Sequence, residues 1–172
     1  MNPTRTGIID ILRKMEADIV TENSRFEGGE PVADLIVKTS DLRGVEISGE
    51  IIPRVVDELP ILSLAACFAK GTTIIKDAEE LRVKESDRIS ATVESLKQFG
   101  ANINETKDGM IIKGGNILSG TTVGSHGDHR IAMTNGIAGL LVAGDTIVEN
   151  SEDASVSYPE FWETIKKFQN SN

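Results

Sequence analysis

The 172 residues, 39% hydrophobic and 26% charged, suit a chain that buries one core or two small ones. Eighteen Lys and Arg against 27 Asp and Glu leave a net charge of -9, which excludes binding to nucleic acid or an anionic membrane through bulk charge. The single cysteine, Cys67, excludes an internal disulfide framework, and the longest apolar run, Ile61 to Ala69, is interrupted by Ser63 and far short of the ~20 residues of a bilayer crossing. With no apolar leader in MNPTRTGIID, the chain reads as a cytoplasmic protein or a piece of one.

In chain order, Ile8, Ile11, Leu12 and Met15 form one stripe of a helix running from Thr6 to about Glu16. Strands are predicted at Asp18–Thr21, Val32–Thr39 and Val45–Ile52, with Gly28-Gly29 and Arg43-Gly44 as turns. Asp57-Glu58-Leu59-Pro60 suits a helix's first turn, where carboxylates meet the positive end of the dipole and the missing proline amide costs nothing. That helix runs to Lys70 and stops at Gly71. A strand follows at Thr72–Lys76. After the charged stretch Glu79–Arg88, a helix carries Ile89, Val93, Leu96 and Phe99 up to Gly100. Strands at Asn102–Glu105, Met110–Lys113 and Thr121–Val123 precede Ile131–Ala143, a helix apolar on nearly every side. Thr146–Glu149 is strand-like, and Ser157-x-x-Glu160 with Pro159 is a capping box opening the last helix, 158–169. The class is mixed α/β.

The chain also repeats. Leu12–Ile19 matches Leu96–Ile103, and Ala69–Ile75 matches Val142–Val148, giving units of about 6–78 and 87–150 that bury their apolar faces against each other. The second match places Asp57 and Arg130 at equivalent helix starts.

Two segments carry charge suited to chemistry. In Glu79–Arg88, Lys84 and Arg88 offer a point charge and a bidentate fork to phosphate or carboxylate at a helix start; the alternative is a solvated, self-paired charge run. In Gly124–Arg130, Arg130 enters a helix from a glycine-rich loop, with Asp128 as a cap or as part of a His126, Asp128, His129 metal set that no further His or Cys completes. Asp57 and Glu85 are the acid–base candidates, Asp57 being kept ionised if it lies near Lys84. Cys67, amid Ala65, Ala66 and Phe68, belongs to the core.

Taken together and in order, NPTRTGI, VDELP, LRVKESDRI, GDHRIAM and SYPEFW resemble the C-terminal part of the 5-enolpyruvylshikimate-3-phosphate synthase family. The resemblance implies βαβαββ units packed around parallel helices and, for 1–172, a partial C-terminal domain of a two-domain enzyme whose N-terminal domain is missing. It implies transfer of the enolpyruvyl group of phosphoenolpyruvate to the 5-hydroxyl of shikimate 3-phosphate, with no cofactor or metal. On matching positions, Asp57 takes the hydroxyl proton, Glu85 protonates the methylene carbon, Lys84 binds shikimate 3-phosphate, and Arg88 and Arg130 hold phosphoenolpyruvate beside His129. Val156 stands where many members have Lys, Glu80 where some have Asn, and Glu16 where Gly is usual. The rival readings are UDP-N-acetylglucosamine enolpyruvyl transferase, which shares the repeated fold, and a non-catalytic anion-binding domain on the same scaffold.

Overall fold

The computed structural model describes residues 1–169. Its first helix, α1 (Gly7–Lys14), buries Ile11, and Met15 just beyond it, against the core, with Ile8 and Leu12 packed alongside. The backbone then turns through Glu16 at φ 68. A hairpin follows, β1 (Asp18–Glu27) and β2 (Glu30–Lys38), joined through Gly28 and Gly29 at φ 59 and 88. It runs longer than the apolar pattern predicts, because its outer half is held by cross-strand backbone pairing and by polar side chains that reach across, such as Asn23 Nδ2 to Asp34 Oδ2 at 2.7 Å.

The third predicted strand is a correction. Only β3 (Glu46–Ile47) is extended, because Gly49 at φ 69 and Pro53, which lacks an amide, divert the chain into a 3-10 turn over Gly49–Arg54. Arg43-Gly44 is not a turn either. Arg43 bridges to Lys70, and Gly44 is required by close approach, since a Cβ there would lie 2.4 Å from the Thr72 carbonyl oxygen. A second 3-10 turn, Val56–Glu58, leads into α2 (Leu59–Phe68), with Pro60 in its first turn. Strand β4 (Thr72–Ile75) follows Gly71 at φ 97.

The second half repeats this order: α3 (Arg88–Gln98), β5 (Asn102–Glu105), β6 (Met110–Lys113), β7 (Thr122–Gly124), α4 (His129–Leu141) and β8 (Ile147–Glu149). The correspondence extends to details. Gly100 turns at φ 97 where Glu16 does, and β7–β8 is parallel like β3–β4. A Cβ at Gly120 would lie 2.3 Å from the Asp145 carbonyl oxygen, as one at Gly44 would meet Thr72. The halves join in one sheet of order β3-β4-β6-β5, in which β4 pairs antiparallel with β6 across the repeat boundary. Ile47, Ile75, Met110, Ile103 and Ile112 are buried from this sheet against Leu59, Leu62, Leu64 and Leu96 of the helices.

The last helix, α5 (Phe161–Gln169), begins three residues later than predicted. Ser157 does not cap it; its N–H bonds the Ala154 carbonyl at the end of a 3-10 turn over Ser151–Val156. Phe161 and Ile165 form a small core with Ala132 and Ala154. Gly136 makes room for it, since a Cβ would lie 2.9 Å from the Trp162 ring. Helix α4 is less enclosed than its composition predicts: Ile131, Ala132 and Ala138 are buried, whereas Leu141 is 56% exposed.

Candidate functional site

Helices α2, α3 and α4 pack on one another, and the residues at their N-termini meet. Asp57 comes from the turn before α2, Arg88 is the first residue of α3, and Asp128 is the N-cap of α4, accepting from Arg130 N at 2.8 Å. Asp87 caps α3 in the same way, accepting from Ser90 N at 3.1 Å. Both caps follow from short acceptor side chains placed just ahead of a helix.

Arg88 is the hub. Its side chain is 1% exposed, and each guanidinium nitrogen donates to a different carboxylate: Nε to Asp128 Oδ2 at 2.8 Å, Nη1 to Asp57 Oδ1 at 3.1 Å and Nη2 to Glu85 Oε2 at 2.6 Å. Ser86 adds a hydroxyl bond to Asp128 Oδ2 at 3.1 Å. A buried guanidinium is tolerable only because all of its faces are paired.

Arg130 is held more loosely. Its Nη2 lies 3.5 Å from Asp57 Oδ2 and its Nη1 3.7 Å from Glu58 Oε1, both beyond good hydrogen-bond length. Among the described residues its buried Nε has no hydrogen-bond partner, and the same is true of Glu58 Oε2. Arg130, Asp57 and Glu58 line a cleft of about 170 Å³ with Ile61 and Thr134. Arg5 completes the ring, donating from Nη1 to Asp57 Oδ2 at 3.1 Å.

These placements set the proton affinities. Burial pushes the Asp57 carboxyl up, but Arg130, the hydrogen bond from Arg5 and the charge of Arg88 outweigh it and hold the group below its ordinary value. Burial also raises Asp128, which the Arg88 bond, the Arg130 amide and Ser86 bring down. Glu58 goes the other way, because burial and the neighbouring Asp57 outweigh Arg130. Two carboxyls adjacent in sequence are thus pushed apart.

Of the residues expected from sequence, Asp57, Glu85, Arg88 and Arg130 are brought together, and His129, 9% exposed, sits beside Arg130 at the head of α4. Lys84 instead pairs with Glu80. The cations against Asp57 are therefore arginines and not Lys84, which corrects that part of the sequence reading. The three residues of the metal alternative go separate ways: His126 Nδ1 faces Glu94 at 3.9 Å and Asp128 is taken by Arg88. Cys67 is buried, its thiol pushed up to about 12 by burial. Val156 is 79% exposed. Arg5 is a site residue that the NPTRTG segment does not reveal by local pattern, and Asp128, expected as a cap, makes a second bond to Arg88.

The sequence profile described as EPSP synthase (3-phosphoshikimate 1-carboxyvinyltransferase) matches residues 1–165. A 3-phosphoshikimate 1-carboxyvinyltransferase of Roseiflexus castenholzii is 55% identical over 169 residues, covering 98% of this chain and 39% of that protein. The protein of that name in Synechococcus elongatus is 56% identical over 167 residues, 97% of this chain and 37% of its own length. Among solved structures, EPSP synthase from Acinetobacter baumannii superposes with a TM-score of 0.90 at 43% identity, covering 97% of this chain and 39% of that one. The enolpyruvyl transferase NikO from Streptomyces tendae, at 23% identity and a TM-score of 0.73, shares the fold. The chain therefore spans about two fifths of the length of the curated relatives it matches.

Proposed function

Because the chain belongs to the EPSP synthase family, we propose that it supplies one wall of a two-domain enzyme that transfers the enolpyruvyl group of phosphoenolpyruvate to the 5-hydroxyl of shikimate 3-phosphate. The observation that carries this reading is the meeting of three sequence-distant segments, with Asp57 on one, Glu85 and Arg88 on the next and Arg130 on the third, the buried Arg88 guanidinium joining Asp57 to Glu85 and Arg130 lying beside Asp57.

Asp57 accepts the proton of the 5-hydroxyl as its oxygen attacks C2 of phosphoenolpyruvate. Glu85 delivers a proton to the methylene carbon, giving a tetrahedral adduct. Return of a proton from that carbon to the Glu85 carboxylate and departure of phosphate restore the double bond in the product. Arg88 and Arg130 hold the phosphate and carboxylate of phosphoenolpyruvate, Lys84 binds shikimate 3-phosphate, and His129 lines the pocket. Positioned cations facing two carboxylates suit a reaction that joins two polyanions while charge develops at an enol carbon. Arg130 turns to an anion more readily than Arg88, since its Nη1 and Nη2 are held only by long ion pairs to Glu58 and Asp57 and its Nε has no partner among the described residues. Arg88 must exchange a carboxylate for the substrate anion, and leaving Glu85 frees the oxygen that carries the proton.

Phosphate release by the full-length enzyme tests the proposal. With shikimate 3-phosphate as acceptor, Asp57→Asn and Glu85→Gln are each expected to slow turnover by about 10²-fold or more. Wild-type rates in both variants would remove the acid–base assignment of Asp57 and Glu85, and preference for UDP-N-acetylglucosamine as acceptor would favour the other enolpyruvyl transferase.

A further inference from the structure

The NPTRTG segment has no part in the reaction just described, yet its fold is built to deliver Arg5. The Asn2 carbonyl accepts from Arg5 N at 2.9 Å and Thr6 N at 3.1 Å, while the Asn2 side-chain oxygen accepts from the Thr4 amide at 3.0 Å and hydroxyl at 2.7 Å. Arg54 pins the turn from its far side, Nε donating to the Pro3 carbonyl at 2.9 Å. Gly7 lets the start of α1 seat against the same stretch, since a Cβ there would lie 2.5 Å from Val55 Cγ1 and 3.0 Å from the Arg54 carbonyl oxygen. Arg54 and Val55 lead directly into the turn that carries Asp57. Residues fifty positions apart are thus locked together, and Arg5 Nη1 arrives 3.1 Å from Asp57 Oδ2.

The charged groups facing Asp57 are Arg5, Arg88, Arg130 and the neighbouring Glu58, with Glu85 and Asp128 reached through Arg88. The proposed reaction gives Arg88 and Arg130 to phosphoenolpyruvate. As either guanidinium turns to a substrate anion, its hold on Asp57 weakens, and Arg5 is the cation against Asp57 that the reaction does not claim. We propose that Arg5 is a positioning residue for Asp57, anchoring Oδ2 so that Oδ1 faces the hydroxyl when Arg88 and Arg130 engage the substrate. The inference rests on the reading of Asp57 as proton acceptor. Its chemical effect is a base that stays ionised to lower pH, in keeping with the contribution of the Arg5 hydrogen bond to Asp57's lowered proton affinity. Arg5's side chain is 59% exposed, so replacing it opens no core and the effect is moderate.

The test is kcat/KM against pH for the full-length enzyme as wild type, Arg5→Gln, Arg5→Lys and Asp57→Asn. Loss of Arg5 raises the proton affinity of Asp57, so the acid limb for Arg5→Gln is expected to move to higher pH by up to about one unit, with a several-fold lower plateau. Arg5→Lys, which keeps the charge, is expected to return the limb toward wild type. A limb unmoved in Arg5→Gln, whether rates are unchanged or uniformly reduced, overturns the inference, because a purely structural turn shifts no titration. Asp57→Asn separates the two claims. Full turnover by that variant removes the base assignment itself, whereas its inactivity together with an unmoved Arg5→Gln limb removes Arg5 alone.

Discussion

Asp128 has no exposed surface and spends both oxygens on other parts of the site, one on Arg88 and Ser86, the other on the amide that opens α4. Removing it leaves the buried Arg88 Nε without its acceptor and α4 without its cap, although Asp57 and Glu85 still pair the guanidinium, so Asp128→Ala is expected to lower stability by about 2–4 kcal/mol in a denaturant titration. Asp128→Asn keeps a cap acceptor but loses the charge pairing. The carboxyl titrates below its ordinary value of 3.8 in the folded protein, so its contribution is complete above that pH and is lost as pH falls through the lower folded value. The stability curve of Asp128→Asn is therefore expected to be flatter than wild type below about pH 4, measured by urea unfolding across that range. Glu58, raised above 4.5, has the opposite sign: its ionised form costs stability at neutral pH, and that cost is recovered as pH falls through its folded value.

At the scale of elements, the repeat supplies an internal control. Glu16 and Gly100 end equivalent helices in the left-handed region, at φ 68 and 97, but only glycine does so without cost. Glu16→Gly is expected to raise the melting temperature, by an amount corresponding to about 1 kcal/mol less whatever the exposed Glu16–Arg43 pair, at 2.9 Å, contributes. Gly44→Ala is expected to do the reverse, and severely, since its Cβ would meet the Thr72 backbone from 2.4 Å. Most of these elements were legible in sequence: β5 and β6 fall where alternation put them, and α1 and α3 follow their apolar stripes. The misses have physical causes. Val45–Ile52 is apolar enough for a strand, but Gly49 and Pro53 bend it, and the register of the β1–β2 hairpin depends on pairing that local pattern does not contain. In the site, Asp57 and Arg130 were legible because the repeat made them equivalent. The Arg5 contact was not, since it joins residues 52 positions apart through a packing of Gly7 on Val55.

For the whole molecule, charge is the governing fact. Around the cleft, Asp57, Glu58, Glu85 and Asp128 face Arg5, Arg88 and Arg130, four carboxylates to three guanidiniums, within a chain of net charge -9. Such a wall does not attract polyanions unaided, so the proposed reaction calls for further cations from outside these residues. The 172 residues alone are accordingly expected to fold, to show no turnover and to bind phosphate at best in the millimolar range by calorimetry. The most direct test of convergence on one reaction centre is a crystal structure of the full-length Asp57→Asn, Glu85→Gln enzyme holding both substrates. Such convergence places the guanidiniums of Arg88 and Arg130 on the anionic groups of phosphoenolpyruvate and residue 57 about 3 Å from the 5-hydroxyl of shikimate 3-phosphate. Substrates bound away from the N-termini of α2, α3 and α4 would contradict it.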